Sequence, residues 1–217
     1  MPLRRHTTIP IPAKMSLIVS AVVLCLSLIA VSQAFSYDCY ATSPSFLGGN
    51  TPYDKVNVRD LTQSEQNMLA TLFKSLTGRW EGDGDGVQCR GNVESPSIEN
   101  LLFSLHAEGK ADIHGNLALR TKVRSIYDKI HHNELIRFFL VDNRLRFDDE
   151  ASAGDVELIE LAKDRVKFLQ RFRGGPGTVH REVFISLITA RDTFIIEKTI
   201  YTQGHFTFGR VLHFKRW

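Results

Sequence analysis

Residues 78–86 read Gly78-Arg79-Trp80-Glu81-Gly82-Asp83-Gly84-Asp85-Gly86. The alternation has period two, the period of a strand rather than a helix. One face carries almost no side chains, and the other carries three acids. Glycines on one face let a strand bend sharply and let something large approach its backbone. Upstream, Thr62-Gln63-Ser64-Glu65 has the form of a capping box. It opens an amphipathic helix over 61–76, in which Leu61, Met68, Leu69, Leu72, Phe73 and Leu76 keep helical spacing. Downstream, almost everything to Trp217 reads as strand and turn.

The pattern predicts about ten strands, at 79–92, 98–111, 116–127, 134–141, 144–149, 154–162, 165–173, 178–189, 193–202 and 205–217. Glu157 to Lys163 also suits one or two helical turns. Asp142-Asn143, Arg191-Asp192 and Gln203-Gly204 are hairpin punctuation, as are His114-Gly115-Asn116 and Gly174-Gly175-Pro176-Gly177. Loops this short force antiparallel neighbours. The expected fold is an all-β, antiparallel up-and-down barrel of about 8–10 strands with one N-terminal helix. The helix would plug or brace one end.

Alternation assigns inward faces. In 116–127 the inward set is Leu117, Leu119, Thr121, Val123, Ser125 and Tyr127. In 165–173 it is Val166, Phe168, Gln170 and Phe172. In the last strand Phe206, Phe208, Arg210, Leu212, Phe214 and Arg216 share one face, opposite His205 and His213.

The first 34 residues read as a signal peptide, with Arg4, Arg5 and Lys14 ahead of an apolar stretch and Ser32-Gln33-Ala34 as the cleavage site. Left uncleaved, the segment would be a membrane anchor, and it is the chain's one expected membrane contact. It carries three basic residues and no acidic one, so the formal charge of +3 falls to about zero on its removal. Charge therefore gives no support to a nucleic-acid partner. Residues 35–60 form an arm rich in Ser, Pro, Gly and Asn, and 61–217 are the helix-plus-barrel domain. An exported chain left with Cys39 and Cys89 is expected to pair them, tying the arm to the first strand. Periplasmic or secreted localisation follows.

A short helix, then Gly78-x-Trp80, then an antiparallel meander resembles the entry to a calycin barrel of the lipocalin-like superfamily. The resemblance implies a cup for a small molecule. It also implies that Trp80 closes the base beneath a stacked arginine of the last strand, here Arg216. The superfamily's middle Thr-Asp-Tyr-type motif is not found. The longer run Gly78-x-Trp80-x-Gly82-x-Gly84-x-Gly86 is similar to the opening of nitrobindin-like barrels. That likeness implies haem held by one late histidine, with His205 or His213 in position. Both lie on the outward phase, and a bulge at Gly209 could turn only one set.

Three function classes follow. The leading one is binding or carriage of a small hydrophobic or amphipathic ligand. Arg210, Tyr127, Gln170, Thr121 and Ser125 would meet its polar end, and Phe168, Phe172, Phe206 and Phe208 its apolar part. Haem binding is the alternative cofactor chemistry. A barrel filled by its own side chains, acting as an envelope interaction module, is the third. No metal ligand set is recognised. Glu81, Asp83 and Asp85 lack the acid of a calcium loop, since Asn92 stands seven residues after Asp85. His131-His132 with Glu134 reads as surface. No Gly-x-Ser-x-Gly, HExxH or free cysteine nucleophile is present, so enzymatic activity gets little support. Arg210 also has a purely structural role open to it, as an internal strut paired with an acid or a tyrosine hydroxyl.

Overall fold

The computed structural model describes residues 38–44, 57–127, 131–149, 152–174 and 179–217. The expected signal segment, 1–34, and much of the arm lie outside them. Among the described residues no helix is long and apolar enough to cross a membrane.

Among the described residues one helix precedes the strands, α1 (Gln63–Ser75). Thr62 caps it: its hydroxyl accepts from Glu65 N, and the Glu65 carboxylate accepts from Thr62 N. Eleven strands follow: β1 (Gly78–Gly91), β2 (Pro96–Ala111), β3 (Leu117–Ser125), β4 (His131–Val141), β5 (Arg144–Asp149), β6 (Ser152–Asp155), β7 (Glu157–Ala162), β8 (Arg165–Gly174), β9 (Val179–Thr189), β10 (Thr193–Thr202) and β11 (His205–Arg216). All pairings are antiparallel. The sheet order is β6-β5-β4-β3-β2-β1-β11-β10-β9-β8-β7, so β1 and β11 zip together and β6 and β7 are the edges of a nearly closed barrel.

The expected strand 154–162 is thus two strands, broken at Val156, whose N–H donates to Leu145 O. Glu157–Ala162 is strand, not helical turns. Gln170 reaches over the break from β8, its Nε2 donating to Phe147 O at 3.5 Å.

The glycines of β1 have a concrete use. A Cβ at Gly82 would lie 1.9 Å from His213 O, and one at Gly84 2.7 Å from Val211 O. What approaches the bare face is therefore the backbone of β11.

The helix end of the barrel is packed solid. Leu69, Leu72 and Phe73 of α1 are buried against the interior. Trp80 donates its indole N–H to Leu76 O at 2.9 Å and meets Phe194 edge-on, and Phe194 stacks on Phe214 at 4.3 Å. The Arg216 guanidinium lies 4.3 Å from the Trp80 ring centre and donates to Ser75 O and Thr77 O. Above this layer Phe138, Phe147 and Phe168 form a triangle with ring centres 5.2–5.5 Å apart. The Cys39–Cys89 disulfide is formed.

Candidate functional site

Beyond the phenylalanine triangle the inner face turns polar. On β10, Lys198 continues the inward series Phe194, Ile196. On β11, Arg210 continues Phe214, Leu212, and the two cations are direct cross-strand partners. Like charges held side by side on one inner face repel. The opposite wall supplies their counter-ions: Glu134 of β4 in phase with Ile136 and Phe138, and Asp149 of β5 in phase with Leu145 and Phe147. Arg210 forks onto Glu134 with Nη1–Oε1 at 2.7 Å and Nη2–Oε2 at 2.6 Å. Lys198 Nζ donates to Asp149 Oδ2 at 2.6 Å. Both pairs cross the lumen, since β4 and β5 are reached from β11 only through β1, β2 and β3.

Burial pushes the Glu134 carboxyl up, but the Arg210 fork and charge, with His132 behind, outweigh it and hold it down at about 2. His132 Nε2 lies 2.9 Å from Glu134 Oε1. These side chains, with Ile200 and Phe208, line a cavity of about 240 Å³. Arg210 Nε is buried out of reach of solvent and has no partner among the described residues.

The sequence-derived ligand residues disperse. Arg210 and Phe208 line the cavity. Thr121 and Gln170 are buried nearby, and Phe168 is locked in the phenylalanine triangle. Ser125 is half-buried at the end of β3. The Phe172 side chain lies outside the described residues. Tyr127 does not face inward: β3 ends at Ser125, and Tyr127 is 65% exposed in the turn beyond.

Phe206 is a second correction. The ladder slips between Ile200 and Tyr201, pairing Ile200 with Phe208 but Tyr201 with Phe206, which leaves Thr207 as the extra residue. Phe206 is thereby carried away from the lumen into a cluster with Tyr201 and Phe184. The irregularity is here and not at Gly209. His205 pairs with Thr202 at the rim, its Nδ1 3.0 Å from Tyr40 O, while His213 is exposed on the outer face. Neither histidine lines the cavity.

Glu134, Asp149, Lys198 and His132 were not expected there. Their signal was in the sequence: each is a polar residue on the apolar phase of an alternating strand. His132 is exposed, as expected of a surface histidine, and from the start of β4 its ring reaches the mouth of the cavity.

The class these features define is an all-β, nearly closed antiparallel barrel with a helix-plugged base and a polar, ion-paired cavity towards the other end. No family model matches the chain, and no curated protein matches it. Among solved structures it is similar to "Crystal Structure of Rv2717c from M. tuberculosis", with 11% identity over 73% of this chain and 99% of that one, and a TM-score of 0.42.

Proposed function

We propose that the barrel binds or carries a small amphipathic molecule in the 240 Å³ cavity, its polar head against the Glu134–Arg210 and Lys198–Asp149 pairs and its apolar part against Phe208 and Ile200. The observation that carries this reading is the juxtaposition of two lumen-crossing ion pairs with an apolar wall in one cavity. The volume is just below the ~300 Å³ at which drug-sized sites begin. The occupant is therefore small, or leaves its tail outside the cavity.

The geometry also specifies the head group. Both terminal nitrogens of Arg210 are taken by Glu134, and Lys198 is taken by Asp149. Two cations face two carboxylates, so a ligand carboxylate would have to displace one of them. An uncharged hydrogen-bonding head can accept from a remaining N–H of Lys198 Nζ or donate to a carboxylate, and leaves both pairs intact. Arg210 then serves as the internal strut paired with an acid and not as a clamp on a ligand's charge.

Native mass spectrometry of the protein purified from its own compartment tests carriage, and calorimetric titration with 1-octanol and octanoate tests the head group. The expected result is a bound mass lost on denaturation and tighter binding of the alcohol. Octanoate binding as tightly as octanol would overturn the neutral head. A clean apo mass with no uptake of either would overturn carriage. That outcome would favour the interaction module, whose supporting observation is the solid filling around Phe138, Phe147 and Phe168.

A further inference from the structure

A second concavity lies on the opposite surface of the same strands. Trp80 on β1 pairs with Ala107 on β2, Ala107 with Thr121 on β3, and Thr121 with Glu134 on β4. The side chains of this transverse row point into the barrel, so on the outer face the row offers only backbone. It is the floor of a trough of about 700 Å³. The neighbouring outward rows are its walls. One runs Arg79, Glu108, Arg120 and the other His106, Lys122, Asn133, each in cross-strand register. Residues two apart on a strand stand ~7 Å apart, and four strands span ~14 Å. The trough is therefore the width of one extended chain and the length of about three sugar rings.

Its chemistry is one-sided. Arg79, Arg120 and Lys122 stand among two carboxylates already held by other lysines: Glu108 is paired with Lys110 at 3.3 Å, and Glu81, which heads the His106 row on β1, with Lys215 at 3.1 Å. Among the described residues Arg120 and Lys122 form no ion pair. At the β1 end stands Trp217, 74% exposed, its main-chain N–H donating to Arg79 O. The Arg79 guanidinium is 6.0 Å from the Trp217 ring centre and His106 is 6.4 Å from it. An exposed indole flanked by cations presents a flat apolar platform beside anion-binding groups.

We propose that this trough binds an acidic polysaccharide, a linear chain of uronate or sulfated sugars, with Arg120 and Lys122 on its anionic groups and a sugar ring stacked on Trp217. Single-stranded nucleic acid shares the need for cations and stacking. It needs an aromatic platform for successive bases, whereas this trough has one at one end. The Cys39–Cys89 disulfide also belongs to oxidising compartments, where acidic glycans rather than nucleic acids are the common polyanions.

Fluorescence titration reads the site directly, because the only two tryptophans are Trp80, 2% exposed, and Trp217. The probes are hexagalacturonate, neutral maltohexaose and the oligonucleotide dT7, in ~0.1 M salt. The expected result is saturable quenching by hexagalacturonate and none by maltohexaose. Arg120→Glu/Lys122→Glu should weaken binding at least ten-fold. Lys163→Glu/Arg191→Glu, which reverses two exposed charges in the β7–β8 and β9–β10 turns, should change it less than two-fold. Thermal unfolding of both variants verifies that they fold, and Lys122→Gln is a milder replacement if the double reversal does not. Three results would each overturn the proposal: no binding of hexagalacturonate, equal weakening by the two reversals, or tighter binding of dT7 than of the sugar.

Discussion

The Glu134–Arg210 pair allows a prediction with a sign and a size. A carboxyl held at about 2 in the folded state, against 4.5 when unfolded, stabilises the folded state. The contribution is complete above pH ~4.5 and is lost as pH falls through 2, because only then is the folded carboxyl forced to take a proton. The displacement corresponds to roughly 3 kcal/mol at neutral pH. The side chain is 17% exposed, so solvent screening removes little of this. Removing one partner of a buried pair costs ~3–5 kcal/mol by a separate route, since it leaves Arg210 buried and uncompensated. Glu134→Gln keeps the shape and removes the charge, so it should cost about 3 kcal/mol at pH 7, a fall of roughly 6–12 °C in Tm for a domain of this size. The assay is urea unfolding of wild type and variant, disulfide intact, at pH 7, 5, 3.5 and 2.5. The gap between the two should be constant from pH 7 to 5 and then close as pH falls. A gap below ~1 kcal/mol at pH 7, or one that does not change with pH, would refute the reasoning. Glu134→Leu/Arg210→Met should recover most of the loss, because neither charge is then buried alone.

Three further outcomes are expected. Cys39→Ala/Cys89→Ala should cost up to about 4 kcal/mol, the chain-entropy value for a span of 50 residues, measured by denaturant unfolding. Gly82→Ala should cost at least ~2 kcal/mol, because its Cβ would sit 1.9 Å from a main-chain oxygen and no side-chain rotation relieves that contact; a Tm within 1–2 °C of wild type would contradict it. Arg216→Leu should cost ~1–2 kcal/mol through loss of the Trp80 stack and two carbonyl caps on α1, and should shift the emission of buried Trp80, whereas Lys215→Leu beside it should do neither.

Much of the fold was legible because period two and short turns are local signals. The capping box at Thr62, the alternation of β3 from Leu117 to Ser125 and that of β11 from Phe208 onward hold in the structure. What stayed hidden depends on the register between strands. Nothing local to Val156 marks it as the break between β6 and β7. The slip at Tyr201 is likewise a property of the β10–β11 ladder, and it moved Phe206 and His205 off their expected phase. Tyr127 failed for a simpler reason, as alternation was extended two residues past the end of its strand. The site residues were half visible. Arg210 stood out as a charge on an apolar face, but its partner Glu134 lies 76 residues away, and pairing across a lumen leaves no mark in spacing.

The β1–β11 zipper has a consequence for how the molecule forms. Nine of the ten strand pairings join sequence neighbours, so their hairpins can assemble locally and fast. Joining β1 to β11 instead closes a loop of more than a hundred residues, the slowest kind of contact to make. The arm is laid across that junction. Cys39 is bonded to Cys89 on β1, while Tyr40 N, Ser43 N and Ala41 O are hydrogen-bonded to the start of β11 and the turn before it. Oxidation before closure therefore delivers the β11-binding arm to β1 and shortens the search. Reduced chains should refold through a slower closing phase even where they reach the same native barrel, which makes the disulfide a device of folding rate as well as of stability.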